Sequence, residues 1–426
     1  MSKRVALRKG IANLALSLSA DYGVFSDAGL TASGNGEYVQ EWSGVNNIVA
    51  RQLTELRKPL LRTTGMNGRP CLEFSSDFLV TDNFITSAFD EALTVFYVQQ
   101  SIDGGFVFAI NDTSFTTRQN CRYQHQLQVT QLGAPAAYND GVQNVSGGLR
   151  VVGISYDGAT LRTIANGQMI ERSRNGTLNL SGAVTIGRLG SIEAYFAGKL
   201  SEIKVWRAGA SAAELRSECS ALMARWGIGR PVQRVICTVG DSLTYDYGDP
   251  SSVWTGMLCD QIGDDVVAMQ TWAVPGSSLP AMISGASALC DLYLDNQTQK
   301  INIIFGGSND VATGSSASTV LARMEAYCNE RRAAGWNTIV VVTMLPRSAV
   351  SDDPNTETVR QEYNALLRSE YGDFADALAD VAADNRIGDA GDELDTEYFN
   401  ADRVHLVANG HVVVADIVYN TVSALI

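Results

Sequence analysis

The rhythm of hydrophobic and polar positions changes about halfway along the chain. Up to about Ala208 the apolar stretches are short, at Leu93–Gln99, Gly105–Ile110, Val151–Tyr156, Ala183–Ile186 and Lys199–Trp206, and Gly, Asn and Asp break them. β-Branched and aromatic residues at this spacing predict antiparallel sheets packed as a sandwich. Asn166-Gly167, set between Leu161–Ala165 and Met169–Ile170, predicts a hairpin, because both central residues of a type I′ turn need positive φ. Helical periodicity is nearly absent from this half.

Near Ser211 the pattern becomes helical. Ser211-Ala-Ala-Glu214 is a capping box that opens an amphipathic helix through about Trp226, and Gly227, Gly229 and Pro231 then punctuate the chain. The domain boundary is placed in Gly227–Gln233. Beyond it Val235–Val239, Ile301–Phe305 and Thr338–Met344 are continuous apolar runs, as strands buried on both faces must be. Helices are expected between them, at about Ala317–Ala333 with Gly335 as its C′ residue and at about Glu357–Ser369. Strand and helix in repetition mean a parallel sheet covered on both sides.

Length and composition sharpen this division without altering it. A chain of 426 residues exceeds what one core usually covers, so two or three domains are expected. A hydrophobic fraction of 45% and 18% charged residues fit a globular protein with a packed core in each half. The net charge of −14 would repel a phosphate backbone, and no basic stripe interleaved with aromatics offsets it, so nucleic acid is excluded as a partner. Lys3, Arg4, Arg8 and Lys9 before Ile11–Ala20 imitate a signal peptide, but Asn13, Ser17 and Ser19 interrupt its apolar part. No apolar run reaches the roughly 18 residues that cross a bilayer, so no membrane span is expected. The seven cysteines are scattered, odd in number and without a CxxC pair, which argues against a disulfide framework and a zinc site and for small buried hydrophobes in a reducing compartment.

Three segments carry candidate chemistry. Val235-Ile-Cys-Thr-Val-Gly-Asp-Ser242 runs a buried strand into a turn, which puts Ser242 at the carboxyl end of a parallel strand, just before an expected helix; there it either meets a substrate or merely caps that helix. Ile303-Ile-Phe-Gly-Gly-Ser-Asn-Asp310 delivers Asn309 to the same edge, where its amide could donate to an oxyanion or fold back on its own loop. In Asp402-Arg-Val-His405 the carboxylate could hold the imidazole Nδ1 and leave Nε2 free to take a serine proton; alone, such a pair is more often a solvated one. Of the other two histidines, His125 and His411, the latter sits where a helix-packing residue would and is read as structural. Ala273-Val-Pro-Gly276-Ser-Ser-Leu279 adds the Gly276 amide as a second oxyanion donor. Together the segments fill every role that acyl transfer requires.

This set, Gly240-Asp241-Ser242-Leu243, Gly276, Gly307-Ser308-Asn309-Asp310 and Asp402-Arg-Val-His405, resembles the four blocks of the SGNH (GDSL-type) hydrolases over about Val232 to Ile426. The resemblance implies a flavodoxin-like three-layer α/β/α fold with Ser242 as nucleophile, His405 as base and Asp402 as its orienting acid. It implies an oxyanion hole from Ser242, Gly276 and Asn309, and no metal or organic cofactor. The second block departs from the family, with Trp272-Ala-Val-Pro where an Asn usually precedes the glycine.

In the first half, Leu16-Ser-Leu-Ser-Ala-Asp21, Val39-Gln-Glu-Trp42, Asn67-Gly-Arg-Pro-Cys-Leu-Glu-Phe74, Asp157-Gly158, Asn166-Gly167 and Phe196-Ala-Gly-Lys-Leu-Ser-Glu-Ile203 resemble the concanavalin A-like (laminin G-like) sandwich. The expected organisation is a segment over 1–10, a glycan-binding sandwich over 11–227 and the esterase over 232–426. Such a pairing implies removal of acyl groups, most simply O-acetyl, from a polysaccharide such as a bacterial surface glycan. By analogy with phage tail proteins it points to a virion, with tail proteins as partners and several copies, a homo-oligomer, adding avidity. The alternatives are a secreted or cytoplasmic bacterial enzyme, a non-catalytic binding protein on a hydrolase scaffold, and a lipase- or thioesterase-like enzyme.

Overall fold

A computed structural model describes residues 11–85, 92–103, 105–110, 115–120, 126–131, 138–139, 149–173, 182–188, 195–228, 233–245, 253–262, 267–287, 290–295 and 297–426. His125, the segment 1–10 and one of the seven cysteines, Cys121, lie outside them. The chain divides into two compact units, with the division between Pro231 and Val232.

The first unit holds two sheets in which every described pairing is antiparallel. One runs in the order Gln168–Ser173, Thr160–Ala165, Arg150–Tyr156, Leu93–Asp103, Ala197–Trp206, Arg69–Phe74, Leu60–Met66, and Leu14–Ser19 also pairs with Ala197–Trp206. The other includes Gly105–Ile110 and Val184–Ile186. The turn at Asn166-Gly167 adopts φ of 43° and 93°, the positive pair that a type I′ hairpin needs. Arg150–Tyr156 is buried along its whole length. The helix Ala212–Trp226 covers one of its faces, packing Leu215, Cys219, Leu222 and Trp226 against Phe96, Val151 and Ile164. That helix opens on the capping box, with Ser211 N–H donating to Glu214 at 2.9 Å, and closes on Gly227 at φ 68°.

The second unit is a five-stranded sheet, parallel throughout, in the order Val267–Ala273, Arg234–Gly240, Gln299–Phe305, Thr338–Val342, Ala377–Ala379. Helices Trp254–Ile262 and Ala408–Ser423 cover one face, where Trp254, Leu258, Val414 and Val418 join Ile236, Ile301 and Val340 in a single core. Ala317–Ala334 lies on the other, its Tyr327 hydroxyl donating to Asn302 of the central strand at 2.9 Å. This is the layered arrangement expected of the second half. The strand expected to reach Met344 stops at Val342, because Met344 N–H turns to the Asn364 side chain at 2.9 Å instead of continuing the ladder. The order of strands reverses at Arg234–Gly240, and in such sheets the crevice beyond the carboxyl ends at that point is where ligands bind. Ser242 follows that strand and Asn309 follows its neighbour Gln299–Phe305.

None of the described helices is long and apolar enough to cross a membrane. The six described cysteines are buried and free.

Candidate active site

Ser242 owes its position to the two residues before it. Gly240 ends the strand in a place where a Cβ would collide with the Thr244 side chain and the Phe305 carbonyl, so only glycine lets the chain turn there. Asp241 then takes over the amides that follow: its Oδ1 accepts from Leu243 N–H at 3.0 Å, and its carbonyl from Thr244 and Tyr245 N–H at 3.1 Å each. The helix expected directly after Ser242 is therefore a closed turn over residues 241–245. The next described helix begins at Trp254, whose indole donates to the Leu243 carbonyl at 3.1 Å and holds the turn from outside.

His405 is aimed by a second local device. Asn400 N–H donates to the His405 carbonyl at 2.7 Å and Arg403 N–H to the Asn400 carbonyl at 2.9 Å, with Arg403 in the left-handed region at φ 60°. Asp402 Oδ1 accepts from the amides of Val404 and His405, both at 3.0 Å, and its Oδ2 lies 2.6 Å from His405 Nδ1. His405 Nε2 lies 2.8 Å from Ser242 Oγ, although the two residues are 163 positions apart. A carboxylate can only accept, so Nδ1 carries the ring proton and Nε2 presents its lone pair to the serine. Partial burial opposes ionisation of Asp402, but the ring and the two amides outweigh it and hold the carboxyl below its ordinary range.

The remaining candidates are tied to Gly240 and Asp241, the two residues before Ser242. Gly276 is exposed, at φ 77°, in a turn tied to the first strand by Val274 N–H on the Gly240 carbonyl at 3.1 Å. Asn309 Nδ2 donates to the Ser277 carbonyl at 3.0 Å and to Asp241 Oδ2 at 3.3 Å. Its Oδ1 accepts from Arg347 at 3.3 Å, and Arg347 in turn is clamped by both oxygens of Asp352 at 2.9 and 2.8 Å. Asp241 is fully enclosed. Burial pushes its carboxyl up to about 6, against the pull of Leu243 N–H, Arg347 and His405. Sequence reasoning missed Arg347 and Asp352. The available signal was an arginine at the end of an apolar run, in Leu345-Pro346-Arg347, with an aspartate five residues on.

A cavity of about 530 Å³ opens beside the histidine, walled by Ser242, Leu243, Val253, His405, Leu406 and His411 among others. His411, expected to be structural, is indeed buried in the helix Ala408–Ser423, but its ring also belongs to this wall. Burial, with a smaller contribution from His405, lowers its pKa to about 4, so it is uncharged at neutral pH. Among the described residues no group of three or more His, Cys, Asp or Glu could hold a metal ion.

No curated protein matches the chain. Among solved structures it is similar to a member of the lipolytic protein G-D-S-L family from Veillonella parvula DSM 2008, at 18% identity over 44% of this chain and 97% of that one, TM-score 0.36. It is similar also to the psychrotrophic esterase EstA from Pseudoalteromonas sp., at 14% identity over 45% and 97%, TM-score 0.36. Residues 238–413 match the GDSL-like Lipase/Acylhydrolase family. With the parallel sheet and the geometry around Ser242, that match makes the second unit of this chain a GDSL-like lipase/acylhydrolase domain.

Proposed function

We propose that this domain is a serine esterase in which Ser242 is the nucleophile, His405 the general base and Asp402 the group that orients the base. The observation that carries the reading is the unbroken hydrogen-bond chain from Ser242 Oγ through both ring nitrogens of His405 to Asp402. His405 Nε2 removes the hydroxyl proton as Oγ adds to the ester carbonyl. The oxyanion so formed is held by the Ser242 and Gly276 amides and by Asn309, whose long 3.3 Å bond to Asp241 is the one exchanged. The imidazolium then protonates the departing alcohol, and water repeats the cycle on the acyl-serine. Hydrolysis of p-nitrophenyl acetate is expected to fall by about 10⁴-fold or more in Ser242→Ala. Equal rates for the two proteins would leave only a binding role.

The finer reading is that the ester is an O-acetyl group on a polysaccharide, that the first unit is a concanavalin A-like module holding the glycan, and that the protein works on a phage virion. It is supported by the pairing of a β-sheet unit with a hydrolase unit in one chain. Mass spectrometry of an O-acetylated surface polysaccharide before and after treatment tests it, expecting loss of 42 Da per acetyl group, a mass fixed by the chemistry of deacetylation rather than by this protein. Faster cleavage of octanoyl than of acetyl esters would turn the reading toward a lipase or thioesterase.

A further inference from the structure

The cavity beside His405 is one-sided. Ser242 and His405 line it together with Asn400, Asp402, Leu406, Val407, Ala408 and His411, whereas neither Gly276 nor Asn309 lines it among the described residues. Acid–base chemistry fixes what belongs there. The proton taken from Ser242 must be returned to the departing oxygen, so the alcohol half of the ester has to lie against the imidazole, while the carbonyl oxygen points away toward the Asn309 side. At about 530 Å³ the space falls within the roughly 300–1,000 Å³ of pockets that enclose a small molecule.

Leu243, Val253, Leu406, Val407 and Ala408 give the wall apolar surface, and Tyr245, Asn400 and Asp402 add polar side chains to it. Among its polar residues, His411 calls for an explanation. The residue is 9% exposed, and its Nδ1 is enclosed with no hydrogen-bond partner among the described residues. An enclosed N–H without an acceptor costs more than an idle lone pair, so the ring proton resides on Nε2 and that nitrogen is the one able to donate. The position near the start of the helix Ala408–Ser423 also favours the uncharged ring, since the helix dipole is positive there. An imidazole kept neutral by burial is a directional donor to an uncharged oxygen rather than a site for an anion.

Resting on the esterase reading, we propose that this cavity is the subsite for the leaving alcohol and that His411 is its specificity-determining residue, donating from Nε2 to a second oxygen of that alcohol. The substrate's alcohol half is then a polyol, such as a sugar or glycerol, and not a simple alkyl chain.

The test compares two acetate esters that differ only in the alcohol, glyceryl monoacetate and butyl acetate, on the full chain and on His411→Leu and His411→Gln. His411→Leu is expected to lower kcat/KM for glyceryl monoacetate about tenfold, near the upper worth of one neutral hydrogen bond, mainly through KM, and to leave butyl acetate within about twofold. His411→Gln, which keeps a donor, recovers part of the loss. Equal losses on both esters overturn the proposal and make His411 a packing residue. A second readout needs no turnover. In Ser242→Ala protein, the His411 ring ¹⁵N resonances, assigned by their loss in His411→Gln, are expected to shift on adding glyceryl monoacetate and not butyl acetate. If the wild type cleaves neither ester yet these resonances respond, the esterase reading fails while the subsite stands; no response sinks the subsite.

Discussion

The carboxylate of Asp402 has two tasks that can be separated. One oxygen holds the amides of Val404 and His405, and the other holds the ring. Asp402→Asn keeps an acceptor for the amides but no longer fixes the proton on Nδ1, so kcat is expected to fall by on the order of 10³–10⁴ with little change in KM or in melting temperature. An unaltered kcat would mean that the ring needs no such partner. Asp241 gives a prediction with a sign. Its ordinary value is 3.8 and enclosure raises it to about 6, so the stability of the protonated form is fully present below about pH 4 and is lost as pH rises through 6. Asp241→Asn carries no charge at any pH. Its stability relative to wild type is expected to improve by on the order of 2–3 kcal/mol between pH 4 and 7 in denaturant titrations. A difference that does not vary with pH would contradict this. At this scale Ser242, Asn309, Asp402 and His405 were legible as candidates because each belongs to a visible punctuation, a glycine turn after an apolar run or an Asp-x-x-His turn. Arg347 and Asp352 were hidden, since an ion pair five residues apart looks like solvated loop until the fold encloses it. His411 was half hidden: its burial follows from the helix pattern, but what its other edge faces does not.

Among the elements, the buried strands and long helices were legible because a run of apolar residues or a capping box decides them locally. The segment after Ser242 was not, and the reason is chemical. A strand followed by Gly-Asp-Ser reads as the start of a helix, but the Asp241 side chain and carbonyl take three successive amides and close a turn instead. Trp254 is the tie between that turn and the helix that does form. Trp254→Phe keeps most of the ring packing and removes the donor to the Leu243 carbonyl, leaving a buried acceptor unpaired. A loss of about 1–3 kcal/mol in stability is expected, together with a lower kcat as the Ser242 turn loosens. Full stability and full activity in this variant would show that the turn needs no support from the helix.

For the molecule as a whole, the change of periodicity near Ser211 and the glycines after Trp226 mark where one architecture gives way to the other, whereas pairing within the first unit depends on long-range register that no local window contains. The second unit has its own sheet, its own helices on both faces and a core drawn from within itself. A chain starting at Gln233 is therefore expected to fold alone and to cleave p-nitrophenyl acetate with kcat/KM within a few-fold of the full chain. Loss of activity in a folded fragment would mean that the first unit contributes to catalysis.

The turn that aims His405 is closed by bonds among residues 400–406, so the imidazole is oriented before it ever meets the serine. Cutting the chain at the exposed Gly391 would put Ser242 and His405, the proposed nucleophile and base, on separate polypeptides. Two such pieces should be silent apart and should regain ester cleavage only on reassociation, turning the enzyme into a complementation reporter whose signal is the meeting of its own halves.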